Sequence, residues 1–183
     1  MKTVILVAGQ GGQGVLSIGE TITQYMSETG KYATFAPIYG PQQRGGPAKC
    51  TVVVSDTPIP SPLERMSDIL ICMNQNAVKA YEKDLKTGGI CIYNSNRIKT
   101  PPKREDIEVI GVPADDIAME AGTVKAANTV ILGTLMHYIP QVDAKELLKG
   151  YLAQFERKGK KVMDLNRRAF EAGLDAGKEV KKN

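Results

Sequence analysis

The stretch Val4-Ile5-Leu6-Val7-Ala8-Gly9-Gln10-Gly11-Gly12-Gln13-Gly14-Val15 decides the reading of the fold. A β-branched apolar run enters a cluster of four glycines. Behind it Val15, Ile18, Ile22, Tyr25 and Met26 recur at intervals of three and four, the spacing of one helix face. Gly30 ends that pattern as a C′ glycine ends a helix. The order is strand, tight glycine turn, helix. Gly9, Gly11 and Gly14 match G-x-G-x-x-G, with Gly12 as an extra glycine. Lacking Cβ atoms, such a turn can run close to a ligand or another backbone, and the helix start presents free N–H groups.

That pattern invites the reading of a stand-alone nucleotide-binding oxidoreductase built on the Gly9–Gly14 turn. The next strand argues against it. A dinucleotide fingerprint requires an acidic residue roughly 20 residues on, at the end of the second strand, to hold the ribose hydroxyls. The second strand is expected at about Tyr32 to Ile38, and no Asp or Glu lies between Lys31 and Ser55. The strand runs instead into Tyr39-Gly40-Pro41-Gln42-Gln43-Arg44-Gly45-Gly46-Pro47. A purely structural role, glycines serving strand–helix packing, also satisfies the first turn.

Outward from these loops the chain alternates. Ala48 to Ser55 is rich in β-branched residues and reads as a strand, and the prolines at 58, 60 and 62 force an irregular stretch after it. Asp68 to Met73 reads as a buried strand. Asn74 is placed to cap a helix over roughly Gln75 to Leu85. Gly88-Gly89 closes that unit, a strand begins at Ile90, and Arg97 to Glu105 is a charged surface loop. Ile107 to Val112 is a last short strand. Asp115 and Asp116 open a short helix through about Ala121, and Asn128 to Met136, apolar nearly all round, reads as a buried helix. Asp143 with Glu146 forms a capping box for the stripe Leu147, Leu148, Tyr151, Leu152, Phe155. Arg157 to Lys161 is expected as a solvated turn, with the last helix starting at Leu165. The alternation predicts a three-layer α/β domain with a central, largely parallel or mixed sheet and a helix-rich C-terminal third.

At 183 residues one domain spanning 1–183 is expected, long enough for a sizeable core. The net charge is +4, with much of the excess in Arg157-Lys158-Gly159-Lys160-Lys161 and the Lys181-Lys182 tail. No aromatic residues interleave with these cations, which argues against nucleic acid as a partner. No apolar run approaches the ~20 residues of a membrane span, and Val4 to Ala8 is too short for a signal-peptide core. Cys50, Cys72 and Cys91 are odd in number, lack C-x-x-C spacing and each fall in an apolar segment. They read as buried free thiols in a reducing, cytoplasmic setting, and they cannot supply the four thiolates of an ordinary iron–sulfur cluster.

Little in the chain promises chemistry. The single histidine, His137, sits late in the apolar helix, where a capping or core role is expected. No Ser–His–Asp set or metal-ligand spacing can be assembled, so no catalytic or metal-binding residue is assigned. Arg44 stands out because Gly45-Gly46 follows it: its guanidinium can reach a phosphate or carboxylate as a rigid fork, or pair with a local carbonyl or partner chain.

Together, Gly9-Gln10-Gly11-Gly12-Gln13-Gly14 and Tyr39-Gly40-Pro41-Gln42-Gln43-Arg44-Gly45-Gly46 resemble the gamma subunit of 2-oxoacid:ferredoxin oxidoreductases, with its G-G-Q-G turn and Y-G-P-x-x-R-G-G loop. The likeness runs on through Ile59-Pro60-Ser61-Pro62, Asn74-Gln75, Gly88-Gly89, Asn94-Ser95 and Ala127 to Gly133, and ends with Asn166, Ala169 and Gly173. Gln43 is a mild departure. The resemblance implies a complex that decarboxylates a 2-oxoacid on thiamine diphosphate and Mg2+, passes electrons through iron–sulfur clusters to ferredoxin, and releases an acyl-coenzyme A. None of these cofactors is expected on this chain alone. The implied partners are the alpha and beta subunits, with a delta subunit as a further candidate, and ferredoxin through the complex. The implied role is structural, shaping the coenzyme A side of the site. The 2-oxoglutarate type is favoured on length and on the helix-rich end, with pyruvate, branched-chain and indolepyruvate types as alternatives. Gly9, Gly11, Gly12, Gln13, Gly14, Tyr39, Gly40, Arg44, Gly45 and Gly46 are the expected cofactor-binding or interface residues.

Overall fold

Side-chain alternation along one strand explains the layering. Ile5 and Val7 of β1 (Lys2–Gln10) point to one face of the sheet, Leu6 and Ala8 to the other, and all four are buried. A strand apolar on both faces belongs in the middle of a sheet covered on both sides. The computed structural model describes residues 1–39, 45–61 and 64–181, with Tyr39, Val180 and Lys181 described by backbone alone. It places β1 inside a six-stranded sheet of order β2-β3-β1-β4-β5-β6, where β2 is Tyr32–Tyr39, β3 Pro47–Ser55, β4 Ser67–Cys72, β5 Leu85–Asn94 and β6 Glu108–Val112. The sheet is mixed: β1, β4, β5 and β6 pair in parallel, and β3 runs antiparallel to both β1 and β2.

The helices are α1 (Val15–Glu28), α2 (Gln75–Tyr81), α3 (Ala114–Ala121), α4 (Ala127–Leu135), α5 (Ala144–Ala153) and α6 (Lys160–Lys181). The larger core gathers Ile5, Val7, Val52, Ile71 and Ile92 under α1, α4, α5 and α6. A smaller one sets Leu6, Ala8, Leu70, Cys72 and Cys91 against Ala77 and Val78 of α2 and against Ile98. The chain thus has three unequal layers. Ile98 corrects the surface reading of 97–105, since its side chain is buried within that loop.

Helix ends follow the expected chemistry in three places. Gly30 sits at φ 69° just past α1, and the Lys31 N–H reaches back to Met26 O at 2.9 Å, closing the helix. Asn74 Oδ1 accepts the Ala77 N–H at 2.9 Å, and Asp143 Oδ1 accepts those of Lys145 and Glu146 at 2.9 and 3.0 Å. Two expectations fail. The helix after Asn74 stops at Tyr81, a short 3-10 turn follows, and Leu85 already begins β5 rather than ending a helix. Leu85 pairs with Ser67 and Ile90 with Ile69, so residues 86–89 loop out of the ladder. The final helix starts at Lys160, not Leu165: only 156–158 form a 3-10 turn, and Gly159 at φ 89° launches α6.

α4 and α6 cross in close contact. A Cβ on Gly133 would strike the Phe170 carbonyl oxygen, and one on Gly173 the Val130 carbonyl oxygen. Thr134 Oγ1 donates to Gly173 O at 2.9 Å, and His137 Nε2 lies 2.7 Å from Leu174 O. His137 therefore sits just past the end of α4, at this crossing.

Candidate functional site

β1 and β2 are both antiparallel to β3, so they run the same way and finish at one edge of the sheet. Gln10 at the end of β1 pairs with Pro47, and Tyr39 at the end of β2 pairs with Ala48. The two glycine-bearing loops consequently meet. The Gly11 N–H donates to Gly46 O at 2.9 Å, and Gln10 Nε2 donates to Gly45 O at 2.7 Å. Tyr39 enters this edge by its backbone. Gly40 and Arg44 lie outside the described residues.

Each described glycine of the turn has a distinct local reason. Gly9 is crowded: a Cβ there would come within 2.9 Å of Gln13 Oε1, Met73 Cβ and Val15 Cγ2. Gly12, at φ 93°, faces open space and needs only its backbone freedom. Gly14, at φ 72°, is the residue before α1, and a Cβ on it would run into the side chain of Asn128. Gln13 holds the turn by its amide, accepting the Gln10 N–H at 2.8 Å and donating to Met73 O at 3.3 Å. Its role in this fold is to join the end of β1 to the end of β4.

The result is an open cleft of about 370 Å³ lined by Gln10, Gly11, Gly12, Gly14, Val15, Leu16, Ser17, Gly46, Pro47 and Ala48. The first backbone bond of α1 runs from Ile18 N to Gly14 O at 3.3 Å, so the amides of Val15, Leu16 and Ser17 precede it. Among the described residues no side chain caps this end, and no acidic residue stands in the first turn. The positive end of the helix is open to an anionic or carbonyl group. Beneath it, Cys50 Sγ lies 3.6 Å from Val15 O. Burial first, then the charge of Glu20, pushes that thiol up from 9.0 to about 12, so it stays protonated and is no nucleophile. Cys72 is likewise pushed up, by its hydrogen bond to Cys91 and then by burial. All three cysteines are buried and free. Among the described residues, no group of three or more His, Cys, Asp or Glu is placed to hold a metal ion, and no helix is long and apolar enough to cross a membrane.

Sequence reasoning missed Asn128 as part of this neighbourhood. It is the second residue of α4, over a hundred residues away, yet lies against Gly14 and, with Ser17, Lys125 and Lys158, lines an adjoining cleft of about 550 Å³. The floor there is a buried polar set in which Thr129 Oγ1 meets Tyr151 Oη at 2.7 Å and donates to Asn166 Oδ1 at 3.2 Å. Asn96 was missed too. Its Oδ1 accepts the Asp115 and Asp116 N–H groups at 2.9 and 3.3 Å, capping α3 from outside the helix.

Comparison with known proteins adds the following. A family model, pyruvate ferredoxin/flavodoxin oxidoreductase, matches residues 4–176. Ketoisovalerate oxidoreductase subunit VorA of Methanothermobacter marburgensis is 38% identical over 93% of this chain, which spans only 36% of that relative's length. 2-Oxoglutarate synthase subunit KorC of Methanocaldococcus jannaschii is 32% identical, with 98% of this chain and 96% of that one covered. Among solved structures, a keto/oxoacid ferredoxin oxidoreductase gamma subunit from Geobacter sulfurreducens superposes at TM-score 0.85 with 28% identity over 98% of both chains. The 2-oxoglutarate:ferredoxin oxidoreductase of Magnetococcus marinus shares the fold at TM-score 0.89, with 23% identity and 31% of its chain covered.

Proposed function

This chain belongs to the pyruvate ferredoxin/flavodoxin oxidoreductase family, and from that premise we propose that it serves as the gamma subunit of a multi-subunit 2-oxoacid:ferredoxin oxidoreductase. The observation that carries the reading is the joining of the glycine turn to Gly45 and Gly46 beside the open start of α1. In this proposal the alpha and beta subunits and an iron–sulfur subunit carry thiamine diphosphate, Mg2+ and the clusters. This chain supplies no catalytic residue. Its cleft borders the coenzyme A side of the shared active site, where the amides of α1 and the Ser17 hydroxyl suit phosphate and amide oxygens. Arg44 supplies the fixed positive charge.

The 2-oxoacid we propose is 2-oxoglutarate, because the match to KorC runs nearly end to end on both chains. A branched-chain 2-oxoacid is the second reading, favoured by the higher identity to VorA. The test is to tag this chain, co-purify its partners, and measure coenzyme A-dependent reduction of a viologen dye with each 2-oxoacid. Turnover with 2-oxoglutarate by the complex, and none by this chain alone, is expected. Dye reduction by the isolated chain with thiamine diphosphate added would reject the subunit reading.

A further inference from the structure

Much of the chain's positive charge lies in one stretch of sequence, from α5 into the start of α6. Between residues 145 and 168, eight Lys or Arg stand against three Asp or Glu. Within this region a groove of about 460 Å³ opens between α5 and α6. Its floor is apolar, made of Leu148, Leu152, Ala153 and Met163. Its rim carries Lys145, Lys149 and Arg167, with Glu156 as the single carboxylate. Arg167 also borders a second depression with Lys161, Arg168 and one carboxylate, Asp164, which extends the mainly cationic side of the groove.

These cations are not used to hold the fold together. Among the described residues Lys145, Lys149, Lys161 and Arg168 form no ion pair, and Arg167 only approaches Asp164 at 3.8 Å on the exposed surface. Neighbouring, unpaired like charges repel one another, and a partner of opposite sign removes that repulsion. The floor narrows the choice further. Phosphate backbones have no use for Leu148, Leu152 and Met163, whereas leucines at helical spacing do. A second copy of this chain would bring the same cations against the rim.

We propose that the α5–α6 groove docks an acidic amphipathic helix of a partner polypeptide, its apolar side chains on Leu148, Leu152 and Met163 and its carboxylates on Lys145, Lys149 and Arg167. This assignment is independent of the oxidoreductase reading and of the glycine cleft.

The test uses the full chain and a fluorescent synthetic helical peptide with leucines at i, i+4 and i+7 and glutamates on the flanking positions. Saturable binding that weakens with added salt is expected. Lys149→Glu combined with Arg167→Glu, both at exposed positions, should leave the melting temperature near wild type and weaken binding by roughly tenfold or more. A peptide with lysines in place of the glutamates should fail on wild type and bind the reversed chain. Absence of saturable binding at low salt, equal binding by the reversed chain, or binding of a duplex nucleic acid in place of the peptide would each overturn the proposal. Self-association that the same charge reversal abolishes would overturn it too, by assigning the groove to a second copy.

Discussion

Gly133 and Gly173 meet backbone to backbone where α4 crosses α6, each occupying a place with no room for a Cβ. Helices approach this closely only where small residues face each other, and the contact brings Thr134 Oγ1 onto Gly173 O at 2.9 Å. The two glycines fix the distance at which the buried α4 receives the last helix. Gly133→Ala should therefore destabilise the chain, although alanine favours helices by about 1 kcal/mol over glycine. Overpacking against a backbone carbonyl costs about 1–3 kcal/mol and more where nothing can yield, so a net loss of about 2 kcal/mol is expected. A urea midpoint that rises in the mutant would contradict this.

Gly14 carries two burdens, and they can be separated. Its left-handed φ of 72° costs an alanine about 1–2 kcal/mol, and the Asn128 side chain blocks the Cβ as well. Gly14→Ala should destabilise, and Asn128→Ala should restore part of the loss, leaving the backbone share. A double-mutant cycle with a coupling of about 0.5 kcal/mol or more is the expected result. Strict additivity would mean that the contact is unimportant.

Ser17 separates stability from ligand binding. It is exposed in the first turn of α1, where an acidic residue interacts favourably with the helix dipole by about 0.3–1 kcal/mol. Ser17→Asp should raise the melting temperature slightly. If the cleft borders coenzyme A, the same charge should raise the KM for coenzyme A in the assembled complex while leaving the KM for the 2-oxoacid unchanged. An unaltered coenzyme A dependence would remove that role from the cleft.

The buried Cys50 thiol makes stability fall at alkaline pH. Cys50 is raised from 9.0 to about 12 in the folded chain, mainly by burial, so the folded state holds its proton where the unfolded state has lost it. That contribution is complete below about pH 9 and is lost as pH climbs toward 12, at about 1.4 kcal/mol per pH unit for one such group. Thermal melts should be flat near neutrality and fall above about pH 9. Cys50→Ala should lower the neutral melting temperature by leaving a void, yet flatten the alkaline slope. An unchanged slope would place the alkaline loss at other groups.

Local signals in the sequence were readable because local chemistry decides them. The glycine turn, the caps at Asn74 and Asp143, the stop at Gly30 and the buried α4 all rest on residues within a few positions of one another. The failures share the opposite cause. Leu85 continues an apolar helix face in sequence, but pairing with Ser67 draws it into β5. α6 begins with Lys160-Lys161, whose polarity resembles a loop until Gly159 is seen to start the helix. The insertion of antiparallel β3 between β1 and β2 depends on which edges find each other. The contact of Asn128 with Gly14 and the capping of α3 by Asn96 join residues that no spacing rule connects. So the shape of the glycine turn was legible, and its walls were not.

The central place of β1 carries a cost during synthesis. It leaves the ribosome before its two neighbours, β3 and β4, which end at Ser55 and Cys72. At roughly 5–20 residues per second, the apolar run Val4 to Ala8 waits several seconds with both edges unpaired. The hairpin of β2 and β3 emerges in that interval and is the first segment able to cover one edge. Nascent chains arrested before β3 should therefore be bound by chaperones at Val4–Ala8, and those arrested after β4 should be released.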